Sequence, residues 1–597
     1  MTNTRLKKRL FIWLSALTLI LSSCTNTRPS SDTPSKETDS ASIAPSEVEP
    51  DAPSMEIKSP YQADPAAVTD KTKDFYKAPE AGSCIEIILK DNATEAKGKG
   101  VVVTGNTVLI NEKGSYMLTG TLTDGRILIA VSATDDVVLY LNNADITSKT
   151  SAPIYVRSAD KAVISLMPGT VNKLTDAMSS SDSGTALTAA LFSKADMTIN
   201  GTGKLLVYAN AKDGITSKDD LKIMEGEIEI HSKDDGIVGH DSFVMKGGTL
   251  NVDAGGDGVK SSKEEAGKGF VLIGGGTLNV QAAADGIDAS TSIRISDGNV
   301  NVSSGGGSGA KVPMQGFDFA NWGSGNTNSA ATQKSTKGLK AGYYIDIIGG
   351  VIVIDALENA ISAKGAIHVF GGAIRPNSGN DAIHTESDFY MVRGIINTEV
   401  CEEAIEGATV TIEGGVLSAA SKDDCINANG YNDKTNKLAP GGYSHNVDAG
   451  DEFDGASIVI TGGKFTFAPL GDSIDSNGSI AFRGGQMTMT GPLSTDEGAF
   501  DYLSTFELSG GEFICLTSAQ HVNKPTDAKQ AYLTLTGFTG AAGDQVEIRD
   551  ASGKTLLKTE AKIGWQAVYA SSASFAAGQN YKVLVNGKEV NTAPAVQ

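Results

Sequence analysis

The sequence predicts an all-β chain wound as a parallel β-helix of about 22 residues per coil, closed by a small C-terminal β cap. The first observation is a triplet of an acidic, a small and an aliphatic residue that keeps returning. It reads Asp213-Gly214-Ile215, Asp235-Gly236-Ile237, Asp257-Gly258-Val259 and Asp285-Gly286-Ile287, and later Asn359-Ala360-Ile361, Asp381-Ala382-Ile383, Glu403-Ala404-Ile405, Asp424-Cys425-Ile426 and Asp472-Ser473-Ile474. The second is a Gly-Gly pair followed by alternating residues, as in Gly247-Gly248-Thr249-Leu250-Asn251-Val252 and Gly349-Gly350-Val351-Ile352-Val353-Ile354. Period-two alternation between Gly-rich corners means short strands and tight turns. The third is what the period leaves out: neither a leucine-rich motif nor a helix of ordinary length fits between the markers. The aliphatic residue of each triplet then points inward, and the Gly-Gly pair supplies positive φ at another corner.

Taken in order, the chain opens with Arg5, Lys7, Lys8 and Arg9 before an apolar run from Leu10 to Leu21 that is too short to span a bilayer. The run ends in Leu21-Ser22-Ser23-Cys24, the pattern of a bacterial lipobox. Residues 1–23 are therefore expected to be a lipoprotein signal peptide, with lipid on Cys24. The expected location is the bacterial cell envelope, outside the cytoplasm, with the membrane reached through the lipid anchor alone. Residues 24–82, rich in Ser, Thr, Pro and acids, read as a disordered linker. The β-helix is expected over 83–529 and the cap over 530–597.

The period lengthens between Asp257 and Asp285, between Asp285 and Lys337, and between Asp424 and Asp472. Insertions in a solenoid become side loops that often carry function. The second holds Phe317, Phe319 and Trp322, and the third holds Tyr431, Tyr443 and His445. These aromatic residues are candidates for stacking on sugar, or for packing the loops onto the rod. Cys515 alternates with Phe513 and reads as core. Cys401 and Cys425 lie one coil apart but out of register, so a disulfide between them is one of two alternatives. No Cys/His set has zinc spacing.

The formal net charge of −21 and the lack of a basic stripe exclude a nucleic-acid partner. Stacking places the triplet acids in a file at about 4.8 Å, where two unit charges repel by about 0.9 kcal/mol in water and by several times more near a protein surface. A hard cation held by carboxylates of adjacent coils would relieve this, and calcium suits flexible oxygen ligands. Doubled acids mark the two candidate sites: Asp213, Asp234, Asp235 and Asp257, then Glu402, Glu403, Asp423 and Asp424. The competing reading is that each acid caps its turn by accepting backbone N–H groups, with nearby lysines as partners. Single triplets such as Asp381 and Asp472 are read that way.

The stretches Gly114 to Ile129 (GSYMLTGTLTDGRILI), Val137 to Ser148 (VVLYLNNADITS) and Ala152 to Asp176, followed by Lys212-Asp213-Gly214-Ile215, resemble a family of secreted bacterial carbohydrate-binding β-helix proteins. The resemblance implies a right-handed helix, bound calcium at Asp213, Asp234, Asp235 and Asp257, and affinity for cellulose-like or acidic, pectin-type glycans. It also implies structural similarity to calcium-dependent pectate lyases. The expected function is a surface-tethered, calcium-dependent polysaccharide-binding protein, non-catalytic and monomeric. The alternatives are a polysaccharide lyase and a structural envelope adhesin. A lyase needs a basic residue beside the acid file, and a lysine there (Lys212, Lys233, Lys260 or Lys422) should have its pKa raised by the carboxylates, which opposes action as a base.

Overall fold

Each coil is cut into three strands because its apolar residues alternate in short runs between turn residues. The structure is a computed structural model describing residues 59, 61–67, 69–177, 189–309, 334–431, 455–494 and 496–597, all within the compact unit Met55–Gln597. In one coil the long strand Thr249–Ala254 buries Leu250, Val252 and Ala254 and turns Thr249, Asn251 and Asp253 outward. After an acidic corner comes the short strand Val259–Ser261, and then the third strand, Phe270–Ile273. The next coil repeats this as Thr277–Ala282, Ile287–Ala289 and Ser292–Ile295.

Successive coils pair in parallel and in register. Asn251 lies between Glu229 and Asn279, and Lys260 between Val238 and Asp288. The short strands form a 16-stranded sheet, and the other two series join in one of 33 strands. The fold is a parallel β-solenoid of about 15 turns averaging roughly 24 residues. The two-residue excess over the sequence period comes from the insertions, since intervals free of them, such as 213 to 235 to 257, remain 22.

The triplet's aliphatic residue is core throughout: Ile237, Val259, Ile287, Leu339, Ile361 and Ile383 are fully buried in one continuous cluster. Each such side chain contributes about 1.5–3 kcal/mol of burial free energy. The small residue is needed where the corner is tightest. A Cβ on Gly236 would lie 2.2 Å from Val252 Cγ1 and 2.5 Å from the Gly258 carbonyl oxygen. At the other corner the second glycine of the pair takes positive φ, +79° at Gly248 and +85° at Gly276.

Parallel pairing ends with Asp527–Ala528, and the outer edge of Glu512–Thr517 pairs antiparallel with Trp565–Ser571. The latter strand also pairs with Tyr532–Gly540. A separate four-stranded antiparallel sheet and a second core cluster around Trp565 complete this C-terminal element. It covers the open end of the solenoid core, which would otherwise expose unpaired backbone and apolar side chains.

One expectation needs correction. The linker, expected to be disordered to residue 82, has its described part, from Ser59 onward, running along the solenoid. Asp74 is fully buried and accepts hydrogen bonds from Lys161, from Lys222 at 3.2 Å and from Thr198 at 2.9 Å. Tyr61 stacks on Tyr343 with ring centroids 4.4 Å apart, and Gln62 donates to Asp346 at 2.9 Å. Composition missed this because the segment's partners lie on distant coils rather than within it. Of the two alternatives for Cys401 and Cys425 the structure has the unpaired one: both are buried free thiols, donating to the carbonyls of Ala420 and Ala419. Cys515 is core.

Candidate functional site

The acidic corner precedes each short strand, so the triplet acids form one column along the rod. The outward residue of each short strand, three positions later in sequence, forms a second. The first column is a capping ladder. Asp235 Oδ1 accepts the Asp257 N–H at 2.9 Å, Asp257 Oδ1 that of Asp285 at 3.0 Å, and Asp285 Oδ1 that of Lys337 at 2.8 Å. Further along, Asn359 Oδ1 accepts from Asp381 N–H at 3.2 Å, Asp424 Oδ1 from Asp472 N–H at 2.6 Å, and Asp472 from Gly498 N–H. One oxygen of each of these side chains is thus committed to the fold, and the other carboxylate oxygen of Asp235, Asp257 and Asp285 meets a lysine of the second column.

That second column reads Val238, Lys260, Asp288, Lys340, Ser362, His384, Glu406, Asn427, Asp475 and Asp501. Its first part is compensated. Lys260 Nζ bridges Asp257 Oδ2 at 2.5 Å and Asp235 Oδ2 at 3.3 Å. Lys340 Nζ bridges Asp285 Oδ2 at 2.8 Å and Asp288 Oδ1 at 3.3 Å. Burial disfavours both ammonium groups, yet the carboxylates outweigh it and hold both above the ordinary lysine range. That direction is wrong for a general base.

In the middle, His384 pairs with Glu406 and lies 3.4 Å from Asp381 Oδ2. Burial opposes its charge, but the two carboxylates raise its pKa to about 10, making it an imidazolium clamp. Glu403 is pushed to about 9 by burial and by Glu406, and Asn427 donates to it at 3.0 Å.

The last part has no such balance. Asp424, Asp472 and Glu497 bring ligand oxygens within 4.8 Å of one another, and so do Asp472, Asp475 and Asp501. Among the described residues no ion pair reaches Asp424, Asp472 or Asp475; the neighbouring pairs are Lys422 with Glu402 and His521 with Asp501. Burial is the largest cause of the raised pKa values here, followed by like charge. Asp424 is raised to about 8, with Asp475 and Asp423 adding to the effect, Asp472 to about 9, and Asp475 to about 6.

The sequence-derived sites are therefore redistributed. Asp213 takes a bond from Thr216 at 3.2 Å, and Asp234 is half exposed, 3.7 Å from Lys334. Asp235 and Asp257 share Lys260 rather than a ligand set with those two. Of the second set, Glu402 pairs with Lys422 at 3.4 Å, and Asp423 is raised by burial and by Glu497 and Glu402. Within that set Asp424 alone joins a convergent group, with Asp472 and Glu497, as Asp257 of the first set does with Asp285 and Asp288. Asp472, expected only to cap a turn, does so and is also the hub of both acidic groups. Tyr431 donates to Asp388 Oδ1 instead of standing free as a platform. Cys24, Phe317, Phe319, Trp322 and Tyr443 lie outside the described residues. The sequence reading missed Asp475, Asp501, Glu497, His384 and Glu406. Counting three positions beyond each triplet acid would have found three of them, His384, Glu406 and Asp475.

A parallel β-solenoid carrying a file of paired and unpaired carboxylates is thus the class of protein that fold and site define. Residues 104–382 match the family model described as carbohydrate-binding domain-containing protein, the family the sequence resembles. A protein of that description from Acetivibrio thermocellus is 39% identical over 134 residues, which are 22% of this chain and 47% of the relative; the match thus spans about half of that relative's length. A solved polysaccharide lyase-like protein from C. thermocellum, studied as a gadolinium derivative, is 37% identical, with a TM-score of 0.36, covering 37% of this chain and 92% of that one. The uncompensated acids at 424–501 lie beyond the residues the family model matches.

Proposed function

We propose that this chain is a non-catalytic, calcium-dependent polysaccharide-binding protein, tethered to the outside of a bacterial cell by lipid on Cys24. The observation that carries the calcium reading is the uncompensated group around Asp472. Its donors are all oxygens, they converge from three coils, and no ammonium group among the described residues offsets them. A calcium ion takes six to eight oxygen ligands at about 2.3–2.6 Å, and carboxylates of this kind suit it. Asp424, Asp472, Asp475, Glu497 and Asp501 would hold it. Bound there, the ion supplies positive charge that an anionic glycan's carboxylate can share. The family match supports carbohydrate as the ligand class, and the acidic surface favours a cation as the bridge to uronate-rich polymer.

The test is retention of the protein on polygalacturonate with calcium and with chelator. Calcium-dependent retention that Asp472→Asn together with Asp475→Asn removes is the expected result; retention indifferent to calcium would refute the bridge. Ultraviolet absorbance from unsaturated sugar ends, read on the same samples, reports any lyase activity. The tether is tested separately. Cys24→Ala should release the protein from the membrane fraction, and continued membrane association would refute lipid anchoring.

A further inference from the structure

One corner away from the acid file, the outer face of the long strands holds an open groove of about 460 Å³ that crosses five coils. Its centre is a column of amides, Asn251, Asn279 and Asn301, in register on adjacent strands. Asn279 Nδ2 donates to Asn251 Oδ1 at 2.7 Å, and Asn301 Nδ2 donates to Asn279 Oδ1 at 2.9 Å. An amide has two donors and two acceptor lone pairs, so Asn279, bonded on both sides, keeps one donor and one acceptor for a ligand. The backbone ladders fix these groups at about 4.8 Å intervals, and the chain–chain bonds fix the amide orientation, so little freedom is lost when a ligand binds.

The column then changes character. The residue opposite Asn301 is Val353, 37% exposed, and beside it Val351 is 48% exposed. Val351 continues through Ala373 to Ile395 and Val416, 41% and 39% exposed, as an apolar stripe on the same face. An amide column that ends at the solvent-facing Val353 inside the groove suits a sugar chain with hydroxyl edges and C–H faces. Charge narrows it further. The charged groups of the groove are carboxylates, Glu229, Asp253 and Asp355, with His231 between the first two at 3.1 and 3.4 Å. Among the described residues no lysine or arginine lines it, so a uronate chain would meet like charge without a cation to bridge it.

We infer that this groove is a second glycan site, binding a neutral, unbranched polysaccharide strand along the rod axis without calcium. Hydroxyls both donate and accept, as the amide column requires, and Val353 takes the C–H face of a sugar ring. This inference is independent of the calcium reading, which concerns the neighbouring acid file and an anionic ligand.

The test is affinity electrophoresis of the full chain through gels containing hydroxyethyl cellulose or polygalacturonate, each with calcium and with chelator. Retardation by the neutral polymer should persist in chelator. Asn279→Ala combined with Asn301→Ala should weaken it by about tenfold, the loss of one to two hydrogen bonds. Val353→Asp adds a carboxylate inside the groove at a position already 37% exposed. It should weaken neutral binding too, which keeps the test decisive if the asparagine variant folds poorly. The inference is overturned if chelator abolishes neutral retardation, if the variants bind like the parent, or if the neutral polymer retards nothing. Any of these outcomes can coincide with intact calcium-dependent binding to polygalacturonate, so the two proposals fail separately.

Discussion

The acid file between Asp235 and Lys340 and its continuation between Asp424 and Asp501 use the same corner and the same ladder, yet they balance charge in opposite ways. In the first, the outward column alternates Lys260, Asp288 and Lys340, so ladder acids meet an ammonium on their own or the adjacent coil. In the second the corresponding residues are Asn427, Asp475 and Asp501, and the carboxylates hold protons instead, with pKa values of about 8 at Asp424 and about 9 at Asp472. The difference shows that an acidic repeat is not in itself a metal site. What decides is the residue three positions on, which either closes the charge balance within the chain or leaves it open to a ligand.

The largest expected effect falls on the open half. Calcium at about a hundred times its dissociation constant should stabilise the chain by about 2.7 kcal/mol, seen as a rise in melting temperature that chelator reverses. Asp472→Asn with Asp475→Asn should erase that rise. An undiminished calcium shift in the double variant would move the ion elsewhere.

Next is the closed half. Lys260→Met removes the ammonium shared by Asp235 and Asp257 and should cost about 1–3 kcal/mol, below the full value for a buried pair because Lys260 remains 30% exposed. Chemical denaturation would measure it, and no loss would mean that Lys260 does not balance the file. At the corner, Gly236→Ala should cost about 1–3 kcal/mol through overpacking against Val252, whereas the equivalent position in a later coil already carries Ala404. A neutral Gly236→Ala would show that the corner can relax.

Smallest is the effect of making the open half resemble the closed one. Asp475→Lys places an ammonium beside Asp472 and Asp501 and should raise stability in chelator by about 1 kcal/mol while removing the response to calcium. The same logic fixes a pH dependence. Asp424, Asp472 and Glu403 have folded pKa values raised far above those of an unfolded carboxylate, so the folded state binds more protons across this range. Their contribution is fully present below about pH 4, and it is lost as pH rises through about 8 to 9. In chelator the melting temperature should fall from pH 5 to pH 9, and calcium should flatten the slope. A calcium-free profile rising with pH would contradict this.

Much of this was legible in the sequence. Asp235-Gly236-Ile237 and its repeats encode the core column, the tight corner and the ladder acid, and Gly247-Gly248 encodes the turn before the next long strand. The doubled acids drew attention to Asp234 and Glu402, which the structure turns toward lysines and solvent. They drew it away from Asp475 and Asp501, whose role follows from strand alternation after the triplet. The Ser59–Cys84 segment was not legible, because Asp74 finds Lys161 and Lys222 only after the coils are wound. Nor was the amide groove, since Asn251, Asn279 and Asn301 become one surface only when stacked.

The central claim, that the open acidic group is a proton-holding calcium site, is most directly tested by calorimetric calcium titration at pH 7 in buffers of different ionisation enthalpy. Carboxylates that hold protons at neutral pH must release them when a cation binds. The account predicts release of at least about one proton per calcium bound, lost in Asp472→Asn. Calcium binding without proton release, or with the same release in Asp472→Asn, would contradict it.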